Sequence, residues 1–246
     1  MTPLWVSEAA AAFWAAAGGP EPFPRNLRIP IANALPVTVV LLPKLRVVAV
    51  EDWLRHRGIR CAPSVADRRL RACLVGRYGQ GFIFVEGADP EGEQRFSLAH
   101  ELAHFLRDYW QPRRTAVEHL GPAVLEVLDG ERPARGDERL HALLAHLRLG
   151  FHVHLMERGA GGEFGESAID AAERDADALA FELLAPSAAV VDGLSSASPA
   201  EQRTAIAQRL VTVFGLPAAQ ADRYASLLVP GRREPDSLLR RLGLVP

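Results

Sequence analysis

Two histidines four residues apart, with a glutamate beside the first, are the side chains of this sequence best suited to chemistry. They lie in Arg95-Phe-Ser-Leu-Ala-His100-Glu101-Leu-Ala-His104-Phe-Leu. On an α-helix, side chains four apart share a face, so His100 and His104 can direct two imidazoles at one metal ion. Glu101 stands one step around, where its carboxylate reaches a water activated by the metal rather than the metal itself. This H-E-x-x-H arrangement is the one zinc proteases use. The competing reading is a surface helix that carries two histidines by chance. Phe96, Leu98, Leu102 and Phe105 argue against it, because they would bury much of the helix. Buried polar groups need partners, and a metal would supply them.

A catalytic zinc site takes three protein ligands and leaves one position open. Arg107 and Trp110 stand where the metzincin extension has Gly and His, which excludes that solution. The other common solution draws a Glu from a second helix. The stretch 171–186 is rich in Ala and Leu and reads as a helix ended by Pro186. Glu173 and Asp177 share a face of it. We assign Glu173 as the metal ligand. Asp177 then accepts from the far ring nitrogen of His100 or His104 and fixes the imidazole tautomer. His119, His141, His146, His152, His154, Glu166 and Asp170 compete for the third position. His152 and His154 alternate like one face of a strand, and we read them as exposed strand histidines, with a second metal pair as the alternative.

The residues also carry a resemblance. Arg95-Phe-Ser-Leu-Ala-His-Glu-Leu-Ala-His resembles the active-site helix of the ImmA/IrrE-type metallopeptidases, where R-F-T-L-A-H-E-L-G-H is usual. Glu173-x-x-Ala176-Asp177-x-x-Ala180-x-x-Leu183-Leu184-x-Pro186 resembles that family's second motif, E-x-x-A-N-x-F-A-x-x-L-L-M-P. The likeness runs from about Val47 to Pro186. It implies that His100, His104 and Glu173 hold the metal and that Glu101 is the catalytic base. It also implies a helix-turn-helix repressor as protein substrate. Asp177 replaces the usual Asn, Leu179 the usual Phe, Ala185 the usual Met and Ala103 the usual Gly. The interval from His104 to Glu173 is longer than usual, and residues at about 107–170 read as an insertion: a lid, a substrate-binding element or a surface elaboration.

Several elements must position these residues. A strand is expected over 36–42, a helix over 48–57, and strands over 70–75 and 80–85 around a turn at 76–79. The second of these strands leads into the motif helix. Residues 7–17 read as an Ala-rich helix with Phe13 and Trp14 on its packing face, followed by a Gly- and Pro-rich break. Helices are expected over 115–128, 137–149, 199–213 and 218–228, and a loop, as a candidate lid, over 159–165. The fold class is α+β and helix-rich: a zincin-like core with a small mixed or antiparallel sheet beside the H-E-x-x-H helix, then a C-terminal helical segment. The domain scheme is 1–24 as N-terminal helix and linker, 25–190 as the peptidase domain with its insertion, and 191–246 as a helical subdomain of helix-turn-helix-like spacing.

Composition narrows the alternatives. A chain of 246 residues with 48% hydrophobic content can bury a sizeable core. Its net charge of -2 gives no global field towards nucleic acid or membrane. The run 35–50 is broken by Pro43, Lys44 and Arg46 and is too short to span a bilayer. Cys61 and Cys73 are not spaced as a metal pair and read as reduced thiols. The start lacks a positive n-region and carries Glu8 within its apolar run, so the expectation is a cytoplasmic protein.

Two functions follow. The first is a metal-dependent endopeptidase: one divalent ion, zinc by default with manganese and iron as alternatives, and Glu101 moving the proton. Tyr109, His119 and His152 are its candidate oxyanion donors. The second is a non-catalytic metal-binding transcriptional regulator or protein-interaction module, whose C-terminal helices bind DNA or a partner through residues such as Gln220 and Arg223. Arg232, Arg233, Arg240 and Arg241 offer a modest anion-binding surface or a solvated tail.

Overall fold

The computed structural model describes residues 2–59, 66–137, 139, 152–157, 167–194 and 198–229. In chain order the elements are α1 (Leu4–Ala17), α2 (Arg28–Ala34), β1 (Val37–Leu42), α3 (Val47–His56), β2 (Leu70–Arg77), β3 (Gln80–Glu86) and α4 (Glu91–His104). A π-helical turn, Phe105–Trp110, leads into α5 (Gln111–Leu120) and α6 (Val124–Leu128). Then come β4 (His152–Glu157), α7 (Ser167–Leu184), α8 (Ser187–Val191), α9 (Pro199–Thr212) and α10 (Ala218–Leu228). The chain is thus helix-rich α+β. Among the described residues four strands form one mixed sheet in the order β1-β3-β2-β4, with β1 parallel to β3 and the other pairs antiparallel.

The β2–β3 turn is tighter than expected. Arg77 pairs with Gln80, so only Tyr78 and Gly79 turn the chain, both at positive φ (49° and 75°). Two such residues give a hairpin whose twist matches the strands. Gly76 and Gly81 therefore belong to the strands and face each other across the ladder. They leave a bare patch for two rings of the π turn. A Cβ on Gly81 would lie 2.7 Å from the Phe105 ring, and one on Gly76 2.9 Å from the Tyr109 ring.

Alternation along the strands divides the core. Cys73, Val75, Phe82 and Phe84 pack with Leu45, Val50 and Leu54 on the α3 side. Leu74, Ile83 and Val85 pack on the other side with Phe96, Leu98 and Leu102 of α4. Helix α7 lies along α4, and α1 packs on α7 and α2. Phe13 and Trp14 of α1 are buried, as are Ile206, Leu210, Phe214 and Tyr224 of the C-terminal helices, in the core shared by α4 and α7. The single helix expected over 115–128 is two helices, because Gly121 turns at φ 79° and Pro122 follows. Residues 140–149 of the helix expected after 137, the loop 159–165, Cys61, His141, His146, Glu166 and the four C-terminal arginines lie outside the described residues. No described helix is long and apolar enough to cross a membrane.

Candidate metal centre

Helix α4 presents an unbroken run of buried residues from Phe96 to His104, with the sheet on one side and α7 on the other. Its polar side chains must therefore find partners within the protein. His100 and His104 bring their Nε2 atoms to 3.2 Å of each other. Glu173, from α7, meets both: Oε2 lies 3.3 Å from His100 Nε2, and Oε1 3.4 Å from His104 Nε2. The Nδ1 atoms turn outward to carboxylates. His100 Nδ1 donates to Asp177 Oδ1 at 3.0 Å, and His104 Nδ1 to Asp108 Oδ2 at 2.7 Å. Arg107 steadies Asp108 at 2.8 Å and reaches Asp175 of α7 at 3.3 Å.

With both Nδ1 protons so donated, neutral rings would direct two Nε2 lone pairs at each other, a contact that a proton or a metal cation between them relieves. Zinc bound tetrahedrally by nitrogen at about 2.0–2.1 Å spaces its donors about 3.3–3.4 Å apart. The spacings among His100, His104 and Glu173 match that edge length. The set of two imidazoles and a carboxylate, each with an open lone pair, fits a divalent metal.

A fourth group closes the cluster. His154, at the middle of β4, donates from Nδ1 to Glu101 Oε2 and from Nε2 to Glu173 Oε1, each at 2.9 Å. Its ring stacks on that of His104 at 3.7 Å between centroids. His100, His104, His154 and Glu173 can each offer a ligand atom within 4.8 Å of the others. Glu101 is fully buried; Oε2 is held by His154, and Oε1 has no hydrogen-bond partner among the described residues. The site opens on its Glu173 side, where that side chain is 39% exposed.

The charges are strongly coupled. Burial would lower the pKa of His100, but its hydrogen bonds to Asp177 and Glu173 outweigh it and raise it to about 9. Burial opposes His154 too, yet Glu101 and Glu173 raise it to about 10. Burial would raise Glu173, but its three imidazole partners hold it well below the ordinary carboxylate range. In the absence of a metal, protons take the cation's place.

His154 is the residue sequence reasoning placed wrongly. It is neither exposed nor part of a separate pair. Its β2 partner is Leu74, which faces α4, so the same face of β4 points into the cluster. Alternation alone could not say which face was inward. Asp108 was missed altogether; its position four residues after His104 was the available signal. Of the proposed oxyanion donors, Tyr109 accepts the Gly79 amide through its hydroxyl at 2.8 Å, and His119 bonds the Thr115 carbonyl of its own helix at 2.8 Å.

In comparison with known families, residues 63–120 fit the family model Peptidase_M78, described as the IrrE N-terminal-like domain. The matched segment contains His100, Glu101 and His104 and ends before His154 and Glu173. No curated protein and no solved structure matches the chain. The matched segment is thus similar to the ImmA/IrrE-type peptidase domain, and the His/His/His/Glu cluster beside it could hold a metal ion.

Proposed function

We propose that the chain is a metal-dependent endopeptidase with a zincin-like core, in which His100, His104 and Glu173 hold one divalent ion. The observation that carries this reading is the pairing of a metal-spaced donor set with a buried Glu101 whose Oε1 has no hydrogen-bond partner among the described residues. A structural site would have no use for an unengaged carboxylate oxygen beside it. Bound there, the cation, zinc by default, would polarise a peptide carbonyl and lower the pKa of a water. Glu101 Oε1 takes the proton of that water and delivers it to the leaving amine nitrogen. His154 Nδ1 holds Oε2, so the carboxylate keeps Oε1 turned to the reacting water. Asp177 and Asp108 hold the rings of His100 and His104 in the tautomer that leaves Nε2 free. The outer edge of β4 is unpaired among the described residues, and an extended substrate can add there by backbone pairing.

The catalytic side chains lie within 25–190, and the helices of 1–24 and 191–246 pack on the same core, in a protein we read as cytoplasmic. By family resemblance the substrate is a regulatory protein, such as a helix-turn-helix repressor. The DNA-binding alternative gains little from the C-terminal helices: Arg223 is engaged by Asp177, and Gln220 Oε1 is buried. Glu101→Gln is the decisive variant. It should retain the native metal content and fold while peptide cleavage falls by about 100- to 10,000-fold. A variant that cleaves at the native rate would remove Glu101 from the chemistry.

A further inference from the structure

The C-terminal helix α10 reaches the metal centre through one side chain. Arg223 Nη1 binds Asp177 Oδ2, while Asp177 Oδ1 accepts from His100 Nδ1 at 3.0 Å. The Asp177 side chain is only 7% exposed, and that of Arg223 51%. A buried carboxylate is costly unless both oxygens are met. Here an imidazole from α4 meets one oxygen and a guanidinium from α10 meets the other. The ion pair sits on a braced helix. Tyr224, the next residue, donates its hydroxyl to the Ala185 carbonyl at 3.2 Å. Its ring lies flat on Phe181 of α7, 4.3 Å between centroids, and Phe181 lies against Phe96 of α4. From α4, Arg95 Nη2 donates to the Gly215 carbonyl in the α9–α10 turn at 3.0 Å. These contacts fix α10 relative to the helix that carries His100.

We infer that Arg223 is a positioning residue of the metal centre: by holding Asp177 Oδ2 it fixes the carboxylate that orients His100, so α10 sets the affinity for the cation. This rests on the metal-centre reading above. It makes the C-terminal helix pair a wall of the site, and whatever displaces α10 loosens the metal.

The test is a double-mutant cycle read as zinc affinity, by chelator competition on the full chain. Loss of a partner of a ligating imidazole costs about 10- to 100-fold in metal affinity. Arg223 acts one step further out, so Arg223→Met, which keeps much of the side-chain stem, should weaken zinc by about 10-fold. Arg223→Lys restores a cation and should recover part of that loss. Asp177→Asn still accepts from His100 but carries no charge for Arg223 to hold. In that background Arg223→Met should change affinity by less than about twofold, which is the non-additivity of coupled groups. A role confined to packing α10 would instead lower thermal stability alike in both backgrounds and leave zinc affinity uncoupled. Native affinity in Arg223→Met, or an equal fall in both backgrounds, overturns the inference. A native chain that takes up no zinc overturns the metal-centre reading on which it stands.

Discussion

Zinc uptake should release protons, and their number reports what His154 does. In the metal-free protein burial works against charge on both rings, yet the surrounding carboxylates bring His100 to about 9 and His154 to about 10. Both are then charged at neutral pH, and a protonated ring nitrogen has no lone pair to give a metal. Freeing His100 at pH 7 spans two pH units, about 2.7 kcal/mol or a factor of about 100 in affinity. Proton and metal compete at every pH below the raised pKa. Apparent zinc affinity should therefore rise about tenfold per pH unit from pH 7 and level off near 9. That slope holds if His154 keeps its proton and stays on Glu101. If His154 becomes a ligand, a second proton leaves, and the slope approaches about a hundredfold per unit. Chelator competition at stepped pH measures the slope. Calorimetry in two buffers of different ionisation enthalpy counts the protons independently. An affinity that is flat or falling between pH 7 and 9 would refute the electrostatic account of the cluster.

Two further outcomes are expected. His154→Ala should keep about one zinc per chain and lower kcat for peptide cleavage by about 10- to 100-fold, since a support of the general base is lost while the ligands remain; zinc lost on purification would instead put His154 among the ligands. Gly81→Ala should lower thermal stability, because its Cβ would meet the fully buried Phe105 ring at 2.7 Å and Val37 at 3.0 Å. Overpacking of that kind costs about 1–3 kcal/mol, or about 2–4 °C of Tm per kcal/mol in a chain of this size; an unchanged melting curve would mean that the π turn yields freely.

The local pattern around the motif was legible because it is dense. Phe96, Leu98, Leu102 and Phe105 mark a buried helix in any fold, and all four are buried. The β-branched run of β1 and the strand pair around Tyr78-Gly79 were readable for the same reason. Gly76 was misread as turn because a glycine within a strand looks like punctuation until the ring that needs its bare backbone is known. The helix over 115–128 was misread because its apolar period continues across Gly121 and Pro122. The role of Arg223 was not legible at all. An arginine on a half-polar helix is ordinary until the fold brings a buried carboxylate, 46 positions earlier in sequence, into its reach.

The interval between His104 and Glu173 takes on a different meaning once β4 is in place. Read as sequence, it is an addition that separates two halves of a ligand set. In the fold, the same interval supplies the π turn that brings Asp108 to His104 and the edge strand that brings His154 to Glu101. The edge position matters for both. Among the described residues β4 is paired on one side only, so it can carry an inward side chain into the cluster and offer its other edge to an extended chain. A substrate pairing there would run beside the strand whose His154 already holds Glu101, so binding along β4 and orientation of the base would depend on one element. Changes to β4 that leave His154 in place but spoil its outer edge should then raise KM more than they lower kcat, whereas changes to His154 should do the reverse.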